Sequence, residues 1–138
     1  MTDTVTRPIM RYHGSKWRIA PWIIRHFPLH TLYCEPFGGG GSVLLRKEPS
    51  AIEVYNDLDG EIVNLFRVLR DRELAERLMR QLELSPFSRA EYDLAHEPAA
   101  LDDGGVEQAR RTLVKSFMGF AGNAATAQYK SGFARRYK

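Results

Sequence analysis

The run Leu32-Tyr33-Cys34-Glu35-Pro36-Phe37-Gly38-Gly39-Gly40-Gly41-Ser42-Val43-Leu44-Leu45 limits what this chain can fold into more than any other stretch. An apolar segment ends on an acid, turns through four glycines and re-enters an apolar helical pattern. A second strand-like run, Ile52-Glu53-Val54-Tyr55-Asn56, closes on Asp57, sixteen to nineteen residues past the glycines. Residues 31–35 and 52–56 are predicted as strands, with Ser42 to Arg46 a helix between them. That is a β-α-β unit and hence a parallel pair. Strand, glycine loop, helix, strand and acid form a grip for a nucleotide-like cofactor. The glycines let the backbone come close, and the second acid accepts hydrogen bonds from a ribose.

Four consecutive glycines permit positive φ and leave no Cβ in a ligand's way. A flexible turn is the plain alternative. The position between strand and helix, where helix N-terminal amides face a ligand, favours binding. A phosphate-cradling P-loop is excluded, because no Gly-Lys-Ser/Thr follows. A dinucleotide fingerprint is disfavoured by Val43, which stands where the third glycine or alanine belongs. Glu35 at the strand end would also repel a pyrophosphate. An acid there suits a cationic group instead, such as the α-amino end of S-adenosylmethionine.

In Asn56-Asp57-Leu58-Asp59, spacing makes Asp57 the ribose candidate and Asp59 the cap of the following helix. A third piece is Arg11-Tyr12-His13-Gly14-Ser15-Lys16-Trp17, where Gly14 and Ser15 make a turn that brings Lys16 toward a carboxylate and Tyr12 offers an aromatic face. His13 has no partner histidine or cysteine at ligand spacing, so no metal is expected. Cys34 lies near no obvious base, so a cysteine nucleophile has no support.

Charge is unevenly spread. Residues 1–30 carry five Lys/Arg and one acid, residues 31–107 eight and sixteen, and residues 108–138 seven and none. A basic tail containing Tyr129, Phe133 and Tyr137 has the composition expected where a chain touches phosphates; a solvated C-terminus is the alternative. The single cysteine rules out an internal disulfide and suits a reducing compartment. With no apolar signal core and no membrane-length run, a cytoplasmic location without a membrane partner is expected.

The 138 residues suffice for one domain with a modest core. Residues 15–27 read as a short helix capped by Ser15 and perturbed by Pro21. After Asp57 the pattern turns helical: Ile62, Leu65, Phe66 and Leu69 make one stripe, and Leu74, Leu78 and Leu82 another, with Asp71 a cap between them. Ser88-Arg89-Ala90-Glu91 is a capping-box signature. Val106, Ala109, Leu113 and Phe117 line a last helix that breaks near Gly119 and Gly122.

In their order and spacing, the 11–16, 35–43 and 56–59 motifs resemble the Dam-like family of DNA adenine methyltransferases, which move a methyl group from S-adenosylmethionine to the exocyclic amine of adenine. The resemblance implies an α/β fold: a partial Rossmann-like S-adenosylmethionine-dependent core over residues 1–60, then a helical target-recognition region over 61–138. It places Tyr12 and Lys16 at the adenosine and methionine ends of the cofactor. The 35–41 loop, with Glu35, Phe37, Gly38 and Gly40, would hold the methionine part, and Asp57 the ribose hydroxyls. Double-stranded DNA is the implied partner, contacted by Phe117 to Asn123 and by Lys130, Arg135 and Arg136 of the tail.

The family's Asp-Pro-Pro-Tyr motif, which grips the flipped adenine, is absent: none of the seven prolines is adjacent to another. No catalytic residue is therefore assigned. The chain is expected to be truncated and inactive alone, with a second polypeptide needed to supply the missing half. Its few strands would leave a sheet edge and face uncovered, inviting association. Two other readings are a non-catalytic nucleic-acid-binding module built on residues 108–138 and a nicotinamide-dependent oxidoreductase fragment.

Overall fold

The computed structural model describes residues 5–100, 103–120 and 132–134. Its elements are α1 (Ala20–Ile24), β1 (Leu32–Glu35), β2 (Ile52–Tyr55), α2 (Gly60–Arg70), α3 (Arg72–Leu84), α4 (Arg89–Leu94) and α5 (Val106–Met118). The two strands pair in parallel, Leu32 opposite Ile52 through Glu35 opposite Tyr55. The predicted pair is thus present, each strand one residue shorter than expected.

Both short helices depart from expectation. The first begins only at Ala20, with Ile19 as an N-cap that makes no side-chain bond, so Ser15 does not cap it. Pro21 sits at its start, where the missing N–H costs nothing and the fixed φ favours the helix. The predicted helix from Ser42 to Arg46 is only a hydrogen-bonded turn. Leu45 N donates to the Gly41 carbonyl at 2.9 Å and Lys47 N to that of Val43 at 3.0 Å. Pro49 follows closely and lacks the N–H that further helix would need.

The caps fall where the side chains allow. Asp59 accepts from Glu61 N at 2.9 Å and opens α2. Asp71 closes α2 and opens α3, accepting from Leu74 N at 3.1 Å. Ser88 accepts from Glu91 N at 3.2 Å. The reciprocal half of that box is diverted, because the Glu91 carboxylate takes Arg110 instead.

The core sits among the helices, not on the sheet. Met10, Leu65, Val68, Leu78, Val106, Ala109 and Leu113 form one buried cluster; Tyr92, Ala95, Val114 and Met118 form another. α5 is the central helix, touching α2, α3 and α4. Phe66 leaves the expected stripe and packs its ring 4.5 Å from that of Tyr55. Phe117 is 42% exposed, since α5 presents Leu113, Val114 and Met118 inward. Alternation along the strands puts Leu32, Cys34, Ile52 and Val54 on one face. Leu32 and Ile52 are half exposed and Val54 is 42% exposed, so the described residues leave this face uncovered.

Residues 108–120 are less free to meet phosphates than their charge suggested. Arg110 donates to Glu107 at 2.7 Å and to Glu91 at 2.6 Å, Arg111 donates to Glu107 at 2.7 Å, and Lys115 pairs with Glu61. Hydrogen bonds from Arg110 first, and from Arg111, pull the Glu107 carboxyl from its ordinary 4.5 down to about 2. The unfolded chain therefore binds this proton first. Stability from Glu107 is full above about pH 4.5 and is lost as pH falls toward 2. Acid unfolding followed by circular dichroism is expected to be flatter across that window in Glu107→Gln than in the wild type.

Candidate cofactor cleft

The sheet aims the carboxyl ends of both strands at one loop. β1 ends at Glu35 and β2 at Tyr55, and residues 36–41 turn back between them. Gly38 N donates to the Asn56 carbonyl at 2.8 Å, and the Asn56 side-chain amide donates to the Pro36 carbonyl at 3.0 Å. Gly39 has φ +50°, and a Cβ there would lie 2.6 Å from a Tyr12 ring carbon. At Gly38 a Cβ would lie 2.2 Å from the Tyr55 ring. At both positions the loop needs glycine for close approach, and at Gly39 also for backbone angle.

The loop borders a cleft of about 220 Å³ whose walls include Tyr12, Gly14, Ser15, Lys16, Glu35, Phe37, Gly38, Gly39, Gly40, Ser42 and Val43. Tyr12, Lys16, Glu35, Phe37, Gly38 and Gly40, predicted from separate motifs, are thus brought together. The Tyr12 carbonyl accepts from Ser15 N at 3.1 Å across the Gly14 turn, and Ser15 Oγ meets Ser42 Oγ at 2.8 Å. Arg11 is held from α5: its N–H donates to Ser116 Oγ at 2.8 Å, and that hydroxyl donates to the Arg11 carbonyl at 2.9 Å. Tyr12 is thereby fixed from both flanks.

Glu35 uses one oxygen on the protein. Its Oε1 accepts from Tyr33 OH at 2.7 Å and Leu44 N at 2.9 Å, while Oε2 has no partner among the described residues. Glu35 thus takes the Leu44 amide, one of the backbone donors that follow the glycine loop. Lys16 Nζ donates to the Gly14 carbonyl and reaches no carboxylate among the described residues. Phe37 is 83% exposed at the cleft wall. Burial first, then the charges of Asp57 and Asp59, push the Tyr12 phenol up, so it stays a neutral hydroxyl near neutral pH.

Asp57 is not a wall of the cleft. Its Oδ2 accepts from Gly39 N at 2.8 Å and its Oδ1 from Asp59 N at 3.0 Å, so here it holds the loop. Tyr55 escaped the motif reading, yet its hydroxyl donates to the Gly39 carbonyl at 2.5 Å. Strand alternation, which puts Tyr55 on the same face as Glu35, was the signal that could have found it. The four DNA-contact candidates, Asn123, Lys130, Arg135 and Arg136, lie outside the described residues.

A glycine loop bordering a cleft at the carboxyl ends of parallel strands is the placement of ligand sites in α/β proteins. The model of the D12 class N6 adenine-specific DNA methyltransferases matches residues 12–130, and the chain belongs to that family. It is 30% identical over 66 residues to a DNA adenine methylase of Serratia marcescens, covering 48% of this chain and 24% of the relative. It is 26% identical over 101 residues to a DNA adenine methylase of Salmonella typhi, covering 67% of this chain and 36% of the relative. The chain thus spans about a quarter to a third of these relatives' length. The family match includes all seven cofactor candidates and ends before Arg135 and Arg136.

Proposed function

We propose that this chain is the S-adenosylmethionine-binding portion of a site-specific DNA adenine-N6 methyltransferase. On this reading residues 1–60 are a partial Rossmann-like cofactor core, and residues 61–138 a helical target-recognition region for double-stranded DNA. The observation that carries it is the convergence of Tyr12, Lys16, Glu35, Phe37 and the glycine loop on one cleft. The group's charges match those residues. Glu35 Oε2 would hold the α-ammonium, Lys16 the α-carboxylate, Phe37 and the glycine loop the rest of the methionine part, and Tyr12 the adenosine end. Asp57, which does not line the cleft and holds Gly39 N and Asp59 N, would take the ribose hydroxyls only with its remaining lone pairs, so its first role on this reading is to set the loop. At about 220 Å³ the cleft is smaller than the about 300 Å³ at the low end for ligand pockets. The ligand would therefore extend beyond the enclosed part of the cleft.

S-adenosylmethionine, when bound, supplies an electrophilic methyl group. Transfer to adenine needs a group to hold the flipped base, and these 138 residues hold no Asp-Pro-Pro-Tyr. Further residues, on the same or a second polypeptide, must supply it, so the 138-residue chain alone methylates no DNA. A non-catalytic nucleic-acid module is the weaker reading, because Arg110, Arg111 and Lys115 are consumed by carboxylates.

Calorimetric titration tests the assignment. Saturable S-adenosylmethionine binding with no response to NAD is expected. Binding of NAD without S-adenosylmethionine would overturn it.

A further inference from the structure

We propose that Tyr55 is a positioning residue of the cofactor cleft, clamping the glycine loop through the Gly39 carbonyl; this rests on the functional reading above. A run of four glycines has little conformational preference of its own, and each of its peptides can turn over at small cost. Its shape must come from outside. Around Gly39 the two adjoining peptides are held separately. The N–H of the first donates to Asp57 Oδ2 at 2.8 Å, and the carbonyl of the second accepts from Tyr55 OH at 2.5 Å. The Tyr12 ring closes the remaining side.

Tyr55 is itself firmly seated. Its ring packs 4.5 Å from the Phe66 ring of α2 and lies so close under Gly38 that no side chain fits between them. Burial foremost, then the Asp57 charge, push its phenol up, so the hydroxyl keeps its proton and remains a donor. α2 therefore sets the position of Tyr55, and Tyr55 sets the loop before any ligand arrives. Such preorganisation removes an ordering cost from binding.

Tyr55→Phe keeps the ring and its packing and deletes only the donor. In calorimetry with S-adenosylmethionine, affinity is expected to fall about fivefold to tenfold, with the ligand-free helical circular dichroism signal unchanged. Because Asp57 and Tyr55 act on the same residue, Tyr55→Phe combined with Asp57→Asn should lose less than the product of the single losses. Affinity within about twofold of wild type, or losses that simply multiply, would overturn the clamp.

A ligand-free readout separates this proposal from the functional one. In amide spectra of the unliganded protein, Tyr55→Phe is expected to shift or broaden Gly39 and Gly40 while leaving core amides such as Leu65 and Val68 in place. Unaltered Gly39 and Gly40 signals would refute the clamp even if the wild type binds no S-adenosylmethionine; failure of wild-type binding refutes only the functional reading.

Discussion

Gly39→Ala is expected to weaken S-adenosylmethionine binding by about 100-fold, which corresponds to about 2.7 kcal/mol. Two costs combine. A side chain at φ +50° carries a left-handed strain of about 1–2 kcal/mol. The new Cβ would also stand 2.6 Å from one Tyr12 ring carbon and 3.2 Å from two others. The Tyr12 backbone is tied back through Arg11 to Ser116 and through its own carbonyl to Ser15, so the ring can give way only by turning about its side-chain torsions. Either the loop or the ring must move, and both are walls of the cleft. Gly39 lies outside both buried clusters, so the helical circular dichroism signal should survive. Calorimetry checks the loss; affinity within a few-fold of wild type would contradict the assigned cleft.

Arg110→Met is expected to cost about 3 kcal/mol of stability. The guanidinium is only 8% exposed and forks onto Glu107 through two nitrogens, at 2.7 and 2.9 Å, while a third bond reaches Glu91 at 2.6 Å. Removing it takes the Arg110 partner from Glu91 and leaves Glu107 with Arg111 alone. The low end of the range for a broken buried pair applies because Glu107 and Glu91 remain about a quarter exposed and water screens them. Against a typical total of about 5–15 kcal/mol the loss is large. Urea denaturation measures it directly, and a change under about 1 kcal/mol would mean the pairs are already screened by solvent.

Local signals in the sequence were legible and distant ones were not. Asp59, Asp71 and Ser88 cap helices because a cap is decided within three residues. The parallel pair follows from two short runs whose alternation survives in the fold. The Ser42 to Arg46 segment misled because its apolar spacing suits a helix, while the short crossover to Pro49 leaves room only for a turn. Six cofactor candidates met in the cleft because four of them are near neighbours on one loop and two sit on the adjoining Gly14 turn. Arg110 and Lys115 could not be read from composition: their partners Glu91 and Glu61 lie 19 and 54 residues away, and no periodicity records such a pairing. Counted as free charge, they made the tail look more available to phosphates than it is.

The central claim is that the glycine loop and its neighbours bind S-adenosylmethionine. Amide chemical-shift mapping of the 138-residue chain during titration with S-adenosylmethionine tests it most directly. Saturable shifts are expected, centred on Tyr12, Lys16, Glu35, Phe37 and Gly38 to Gly40, with Asp57 following through its bond to Gly39. Saturable shifts elsewhere, or none at these residues, would contradict it.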